Sequence, residues 1–311
     1  MNFVQSVLKM KDQSTVSFKD SLKSWDTENI LDRVFYRRVG FKIAVLLKPT
    51  KITPNAITIF SIFVGVGACL LFYPDNQLWI NLIGFALLVF ANILDCADGQ
   101  LARITGIKSE IGRILDGFCG DIWFFTFYAV ITMRLINSEG WGWWTILIAM
   151  ASALSHFNQA GMVDLYKTFH LHVLKGGKNS EFESTKSVKA RYQSMTWKTS
   201  AVPKFFMKLY YFYTLNQERQ TPQLHNYIDQ MNVKYPDGYS EESIAAFREK
   251  SLKMMPLLDS FTFNARSIVM LVMLVFNIEW LYFAIEILVL NPLLYITIRR
   301  HEKMCFDLNH Q

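Results

Sequence analysis

The sequence predicts an all-α, polytopic membrane protein. The chain has 311 residues, of which 51% are hydrophobic, and its apolar residues are gathered into long runs rather than spread evenly. Each run is about as long as a helix that crosses roughly 30 Å of hydrocarbon. The polar segments that separate the runs are alternately rich and poor in Lys and Arg. The six apolar runs are 55–72, 79–94, 114–133, 141–163, 263–278 and 280–298.

Lysine and arginine predict the orientation of these spans, because basic residues beside a span resist translocation. Ten of them precede the first span, none lies in the loop 73–78, and the last span is followed by Arg299, Arg300 and Lys303. Both termini are therefore expected to be cytoplasmic. The net charge of +6 is explained by attraction to the anionic lipid headgroups of the cytoplasmic leaflet. No nucleic-acid partner is expected. The first residues lack the apolar core of a cleavable signal peptide, so none is expected.

Residues 1–53 are predicted to form a cytoplasmic and interfacial segment. Over 24–51, apolar residues alternate with Arg and Lys at near-helical spacing, which is typical of a helix lying in the membrane interface. The tripeptide Thr53-Pro54-Asn55 ends this segment, because proline is favoured at the start of a helix. Residues 54–163 are predicted to carry four spans, residues 263–298 two more, and residues 299–311 a cytoplasmic tail.

Residues 164–262 are predicted to form a helical insertion, cytoplasmic or interfacial, between the fourth and fifth spans. Its aromatic stretch 205–213 is too short to cross a membrane and favours an interfacial helix; a conventional soluble core is the alternative. The cytoplasmic half of the fourth span is unusually polar and is expected to line a water-filled or substrate-filled cavity. Four histidines are expected to be solvated, namely His170, His172, His225 and His301.

Four aspartates and an arginine lie at the ends of the second and third spans. On a helix Asp95 and Asp98 share one face, and two helices that meet at the cytoplasmic surface would bring them opposite Asp116. Carboxylates held this close repel one another unless protons or cations lie between them. Hard oxygen ligands suit Mg²⁺ or Mn²⁺, and two such ions can serve phosphoryl transfer. The neighbouring Arg103 indicates a phosphorylated substrate.

The spacing of these residues resembles the signature of the CDP-alcohol phosphatidyltransferase family, DxxDGxxAR followed by eight residues and GxxxD. The residues that match are Asp95, Asp98, Gly99, Ala102, Arg103, Gly112 and Asp116. The resemblance implies transfer of a substituted phosphate from CDP-diacylglycerol or a CDP-alcohol to an alcohol hydroxyl, with release of CMP, in phospholipid or related polar-lipid synthesis. The distribution of Lys and Arg places this site on the cytoplasmic face, and the small residues of the first two spans together with the resemblance favour a homodimer.

The same resemblance implies roles for the matching residues. Asp95, Asp98 and Asp116 would be ligands of two Mg²⁺ or Mn²⁺ ions. The small residues Gly99, Ala102 and Gly112 would belong to the binding site of the CDP-linked donor, and Arg103 would neutralise its phosphates.

One position departs from the family pattern. The fourth aspartate of the family would stand at Gly120, but here the acid is Asp121. A π-bulge between Gly117 and Gly120 would undo the offset. Otherwise the site works with three acids and a substitute, or its acceptor step is altered. If Asp121 reaches the site, it is the candidate general base or fourth metal ligand.

Polar residues in the later spans are candidates for acceptor contacts, with structural hydrogen bonds between helices as the alternative. They are His156, Asn158, Asn264, Arg266 and Glu286. A catalytically silent lipid-binding relative or a small transporter is the rival function. Against the transporter, the sequence has no inverted repeat or pair of broken helices.

Overall fold

Helices make up the regular structure of the chain, as the sequence predicts. The computed structural model describes residues 17–107, 109–178 and 182–310, together with all side chains there except those of residues 110, 111, 113, 114 and 202. Within these ranges no strand is formed, so the all-α class is confirmed. The first sixteen residues of the predicted N-terminal segment and three residues of the predicted insertion lie outside the described chain.

The helices follow one another in the order that the apolar runs predict. The first are α1 (Arg37–Leu47), α2 (Pro54–Leu70), α3 (Leu78–Thr105), α4 (Glu110–Ser138) and α5 (Thr145–Leu174). The inserted segment forms α6 (Thr185–Ser194), α7 (Trp197–Gln220), α8 (Pro222–Lys234), α9 (Glu241–Leu252) and α10 (Met255–Asp259). The last are α11 (Phe263–Phe276), α12 (Trp280–Ile285) and α13 (Asn291–Asn309), with π-helical turns at Asp32–Tyr36 and Glu286–Leu290.

Four of these helical stretches are long and apolar enough to cross a membrane: Leu78–Thr105, Leu115–Ser138, Thr145–Leu174 and Trp280–Asn309. The chain is therefore an integral membrane protein. The runs expected to form the first and fifth spans are shorter apolar helices, α2 with 17 residues and α11 with 14. A helix needs about 17–25 residues to span; α2 is at the lower limit of that range and α11 is below it, so the predicted total of six spans stays a prediction.

Local chemistry explains where α2 and α11 begin and end. The Thr53 hydroxyl accepts a hydrogen bond from the backbone N–H of Ala56 at 3.3 Å, and Pro54 occupies the first turn of α2. Both are standard signals of a helix start. At the other end of the chain Asn277 takes a left-handed conformation (φ 56°) and ends α11, as asparagine often does at a C-terminal cap.

One compact unit extends up to Leu71 and includes Ile83–Trp123. It has a small apolar core formed by α1, α2 and α3, and α1 approaches α3 closely at Gly40, where a Cβ atom would lie 2.8 Å from Oε1 of Gln100. Apolar side chains on and just before α1 are exposed, including Ile30, Val34 and Leu46. An exposed apolar side is what an interfacial helix requires. The core residues of this unit are Ala44, Ile57, Leu94 and Leu101.

The other unit comprises Phe72–Leu82 and the chain from Phe124 onward. Its main core joins the later turns of α5 to α8, α9, α10 and α13, so the inserted segment is built around buried residues. Helix α7 is kinked at Ser200 and exposes Phe205, Leu209 and Phe212 on one side. Within the described residues the insertion has a packed core and one helix with exposed aromatic side chains. Whether that helix lies in the membrane interface stays a prediction.

This core corrects the expectation that His170, His172 and His301 are solvated, whereas His225, on α8, is half-buried. His170 and His301 have no exposed surface and His172 is 7% exposed. The ring of His301 stacks on Tyr166 with centroids 3.8 Å apart. Nδ1 of His170 lies 2.9 Å from the Ser251 hydroxyl. The expectation was wrong because α5 and α13 continue past the predicted span ends and carry these residues into the core of the insertion.

Candidate functional site

The structure brings three of the motif aspartates together. One carboxylate oxygen each from Asp95, Asp98 and Asp116 lies within 4.8 Å of the other two. Asp95 and Asp98 stand one turn apart on α3, whereas Asp116 comes from the second turn of α4. Asp98 is buried, Asp95 is half-buried and Asp116 is exposed. Exposure of the three acids therefore increases from Asp98 to Asp116, so the cluster is accessible from the Asp116 side.

A threonine that the sequence argument missed holds the most buried of these acids. The hydroxyl of Thr58, on α2, donates a hydrogen bond to Oδ2 of Asp98, and Thr58 is 2% exposed. One turn later Ser61 lies 3.4 Å from the sulfur of Cys119 on α4. The signal was available, because Thr58 and Ser61 are three residues apart in an apolar helix and so share one face.

The donor set fits a divalent cation. Oδ1 of Asp95 is buried and has no hydrogen-bond partner among the described residues, which is costly for a carboxylate unless a cation or proton satisfies it. Three carboxylates that converge within 4.8 Å repel one another for the same reason. Mg²⁺ and Mn²⁺ prefer such oxygen ligands.

The arginine of the motif lies over the glycine of the motif. A Cβ atom at Gly99 would lie 3.3 Å from Nη2 and 3.5 Å from Nη1 of Arg103, so the absent side chain leaves room for the guanidinium. Nε of Arg103 donates to the carbonyl of Ser21 at 2.5 Å. Nη2 is buried and has no hydrogen-bond partner within the described chain. Ala102, also predicted in the donor site, is half-buried beside it on α3.

Gly112 has a packing role at the start of α4. A Cβ atom there would collide with Oδ1 of Asn55 and lie 2.8 Å from the hydroxyl of Ser109. Asn55 and Ser109 exchange hydrogen bonds of 2.9 and 3.1 Å, and the Ser109 hydroxyl also accepts from the N–H of Gly112 at 2.9 Å. The glycine therefore lets the first turn of α2 join the loop before α4.

Asp121 does not join the cluster. Helix α4 is α-helical over Glu110–Ser138, including every residue between Gly117 and Asp121, so the π-bulge considered as one alternative is absent. Five residues of a regular helix turn the side chain by about 140° from the direction of Asp116. Accordingly the three-acid group contains no atom of Asp121. Whether Asp121 is a ligand or a base stays a prediction.

Two of the predicted acceptor residues are partners of each other in the second unit. Nη1 of Arg266 donates to both carboxylate oxygens of Glu286, at 2.8 and 2.6 Å, and both side chains are almost fully buried. Nη2 of Arg266 donates to Oε1 of Gln159 at 2.5 Å, and Nε2 of Gln159 donates to Asn291 at 2.8 Å. This network ties α5 and α11 to the π-helical turn before α13.

The other acceptor candidates have different surroundings. His156 is buried and packs on the Phe124 ring at a centroid distance of 4.2 Å. Asn264 is 6% exposed in the first turn of α11. Oδ1 of Asn158 accepts hydrogen bonds of 2.8 Å from Asn216 and from Gln220, both on α7. The polar half of α5 is thus joined directly to the inserted segment.

Comparisons with known proteins agree with the motif. Residues 51–175 match the family model of CDP-alcohol phosphatidyltransferase, so the resemblance is confirmed over that segment. The chain is 32% identical over 97 residues to a phosphatidylinositol phosphate synthase of Corynebacterium glutamicum, a stretch that covers 31% of this chain and 42% of that protein. It is 42% identical over 79 residues to an archaetidylinositol phosphate synthase of Pyrococcus horikoshii, covering 25% and 38%.

A phosphatidylinositol phosphate synthase of Mycobacterium tuberculosis is 28% identical over 108 residues, covering 32% of this chain and 48% of that protein. The chain therefore matches less than half of the length of each of these relatives. The inserted segment between α5 and α11 lies almost entirely beyond the family match, which ends at residue 175.

Proposed function

With the CDP-alcohol phosphatidyltransferase segment at residues 51–175 as the premise, we propose that this protein is a membrane transferase of lipid synthesis. It moves a substituted phosphate from a CDP-linked donor to the hydroxyl of an alcohol and releases CMP. The observation that carries the proposal is the convergence of Asp95, Asp98 and Asp116 within 4.8 Å, on helices that also present Arg103.

We assign a divalent cation, Mg²⁺ or Mn²⁺, to Asp95, Asp98 and Asp116. When bound, the ion supplies positive charge that neutralises phosphate oxygens during displacement. The protein's part is to hold the carboxylates in place. Thr58 fixes the orientation of Asp98 by its hydrogen bond, and partners of this kind commonly set the affinity of a metal site.

The donor phosphates are assigned to Arg103. Its guanidinium has a buried Nη2 without a hydrogen-bond partner in the described residues, and an arginine fork suits phosphate oxygens. Gly99 and Ala102 are small residues that leave room beside Arg103, so the nucleotide can approach the α3 backbone. Gly112 contributes through the packing of Asn55 rather than by direct contact.

Asp121 is proposed as the base that takes the proton of the acceptor hydroxyl. On a regular α4 it points to a different side from Asp116, by about 140°, which suits a group that acts on the acceptor better than a fourth cation ligand. The same offset favours the alternative function, a catalytically silent lipid-binding relative. Measurement of CMP release decides between them.

The relatives' names direct the choice of substrates. Phosphatidylinositol phosphate and archaetidylinositol phosphate synthases are named for inositol phosphate lipids, so a CDP-linked lipid donor with inositol phosphate is the first pair to test. Other polar alcohols and soluble CDP-alcohols follow. Among the acceptor candidates we favour Asn158 and His156, because Arg266 and Glu286 satisfy each other. Asn264 remains a further candidate.

The inserted segment is proposed to influence the choice of acceptor. It binds Asn158 through Asn216 and Gln220, and Gln217 donates to the carbonyl of Gly161 at 2.7 Å. Replacing Asn158 with Ala, or removing the insertion, should change the ranking of acceptors. An unchanged ranking in both variants would argue against this role.

For the membrane arrangement we propose six spans, cytoplasmic termini and a catalytic site on the cytoplasmic face. The support is the distribution of Lys and Arg along the chain. A homodimer is proposed from the small residues of the first two spans, such as Gly67, whose absent side chain faces open space, because such surfaces allow close approach of helices. Labelling of single introduced cysteines from each side, and crosslinking in membranes, test these points.

The decisive experiment measures CMP. Purified protein is incubated with CDP-diacylglycerol or CDP-alcohols, a panel of acceptors including inositol phosphate, and Mn²⁺. We expect cation-dependent CMP release that is lost in Asp98→Asn and kept in Asp229→Asn, a control at an exposed acid of α8. No cation-dependent CMP with any pair, or full activity of Asp98→Asn, would overturn the proposal.

A further inference from the structure

The guanidinium of Arg103 is held on one side and carries a buried N–H group, Nη2, that no described residue satisfies. Nε donates to the backbone carbonyl of Ser21 at 2.5 Å, the group lies over Gly99, and Nη2 has no hydrogen-bond partner in the part of the chain that the structure describes. Ser21 precedes the family match, which begins at residue 51. A residue of the N-terminal segment therefore decides where the side chain of a motif arginine points.

Ser21 ends a short 3₁₀ turn, Lys19–Ser21, and has no exposed surface. Its hydroxyl donates to the carbonyl of Phe18 at 2.7 Å and accepts a hydrogen bond from Nε2 of Gln100 at 2.9 Å. Gln100 and Arg103 are three residues apart on α3 and so lie on the same face. Helix α3 thus hydrogen-bonds to the hydroxyl of Ser21 through Gln100 and to its carbonyl through Arg103.

The turn is also secured on its other side. The ring of Phe18 meets the ring of Phe41 on α1 edge to face at 5.6 Å, and the guanidinium of Arg38 lies 5.7 Å above the Phe18 ring. Gln100 itself is confined, because α1 approaches α3 so closely at Gly40. The serine is therefore fixed relative to α1 and α3 before any ligand binds.

We propose that Ser21 is a positioning residue for the donor nucleotide: by holding Nε of Arg103, it presents the remaining N–H groups of the guanidinium to the diphosphate of a CDP-linked donor. The inference rests on the proposed function. Its physical basis is preorganisation, since a free arginine loses rotamer freedom when it is fixed. A guanidinium that is fixed in advance does not lose that freedom on binding.

The test measures binding of CDP to the purified full-length protein by calorimetry in the presence of Mn²⁺. The variants are Ser21→Ala, Gln100→Leu, Arg103→Ala and the double variant Ser21→Ala/Arg103→Ala, with Ser24→Ala as a matched control. In the described structure the Ser24 hydroxyl makes a single hydrogen bond, which it accepts from the N–H of Asp26 at 3.2 Å. Both Ser21→Ala and Gln100→Leu remove the hydrogen bond from Gln100 that anchors Ser21 and keep the backbone carbonyl that Arg103 contacts, so they test whether the anchored carbonyl orients Arg103. Gln100→Leu removes that bond from the opposite partner, which keeps the test valid if Ser21→Ala folds poorly.

We expect Ser21→Ala and Gln100→Leu each to weaken CDP binding by about fivefold, the effect of one typical hydrogen bond, with Ser24→Ala unchanged. In turnover, KM for the CDP-linked donor should rise while kcat stays close to that of the wild type. In the Arg103→Ala background the serine substitution should have no further effect.

Two results would overturn the inference: unchanged CDP affinity in both Ser21→Ala and Gln100→Leu, or the same loss from Ser21→Ala whether or not Arg103 is present. A purely structural role would lower thermal stability and kcat without the dependence on Arg103. Failure of the wild-type protein to bind CDP would instead count against the proposed function, so the two failures are distinguishable.

Discussion

Thr58 offers a direct test of how the aspartate cluster is held. Its hydroxyl donates to Asp98 from a position that is 2% exposed, and Thr58→Val removes the hydroxyl while keeping the shape of the side chain. A hydrogen bond to a charged group contributes about 1.5–3 kcal/mol. Loss of a residue that orients a metal ligand commonly reduces affinity by about 10–100-fold. We therefore expect the Mn²⁺ concentration for half-maximal CMP release to rise by at least about tenfold.

The assay is CMP release as a function of Mn²⁺ concentration at saturating donor and acceptor. Ser61→Ala is the matched control, because Ser61 lies one turn further along α2, is equally buried, and bonds to the carbonyl of Thr58 rather than to Asp98. An unchanged Mn²⁺ midpoint in Thr58→Val would refute the reasoning. An equal shift in Ser61→Ala would show that the effect comes from the packing of α2.

Three other predictions concern separate parts of the chain. Glu286→Ala should lower stability by about 3–5 kcal/mol, because it leaves the buried guanidinium of Arg266 without its partner; thermal unfolding in detergent measures this, and replacing both residues with apolar ones should restore most of the loss. Gly112→Ala should lower the free energy of unfolding by about 1 kcal/mol, because it breaks the contact with Asn55, whereas Gly117→Ala, which meets no atom within 4 Å, should not; thermal unfolding measures both, and equal effects would contradict the packing argument. Asp121→Asn should reduce kcat without moving the Mn²⁺ midpoint, and a shifted midpoint would identify Asp121 as a cation ligand instead.

The sequence predicted the parts of the fold that depend on local composition. Apolar runs identified the helices that became α2 to α5 and α11 to α13, and Thr53 with Pro54 correctly marked the start of α2. Their ends were less well predicted. Helix α5 continues to Leu174 because residues beyond the apolar run are buried by the insertion, and a sequence window does not contain that contact.

The same distinction applies to the buried polar residues. Glu286 was recognised as costly in an apolar span, but nothing in its neighbourhood along the chain names Arg266, 20 residues earlier. His301 looked like a solvated residue of a basic tail and is instead stacked on Tyr166. In both cases the partner comes from another helix, so burial and pairing follow from packing rather than from spacing.

For the candidate site, the sequence by itself indicated which residues are candidates for the chemistry. Helical periodicity places Asp95 and Asp98 on one face, because a helix of 3.6 residues per turn relates those positions without reference to any other part of the chain. The resemblance to the family signature identified Asp121 as the residue out of step, and the regular α4 preserves that offset.

Only the tertiary structure decided what holds those residues in place. Thr58 reaches Asp98 across 40 positions and Ser21 reaches Arg103 across 82, and each contact depends on how α2 or the N-terminal turn packs against α3. Hydrogen bonds act over about 3 Å, so a residue distant in sequence can orient a functional group only after the helices have packed. Spacing along the sequence thus predicts the candidate groups, whereas packing of the folded chain sets their orientation.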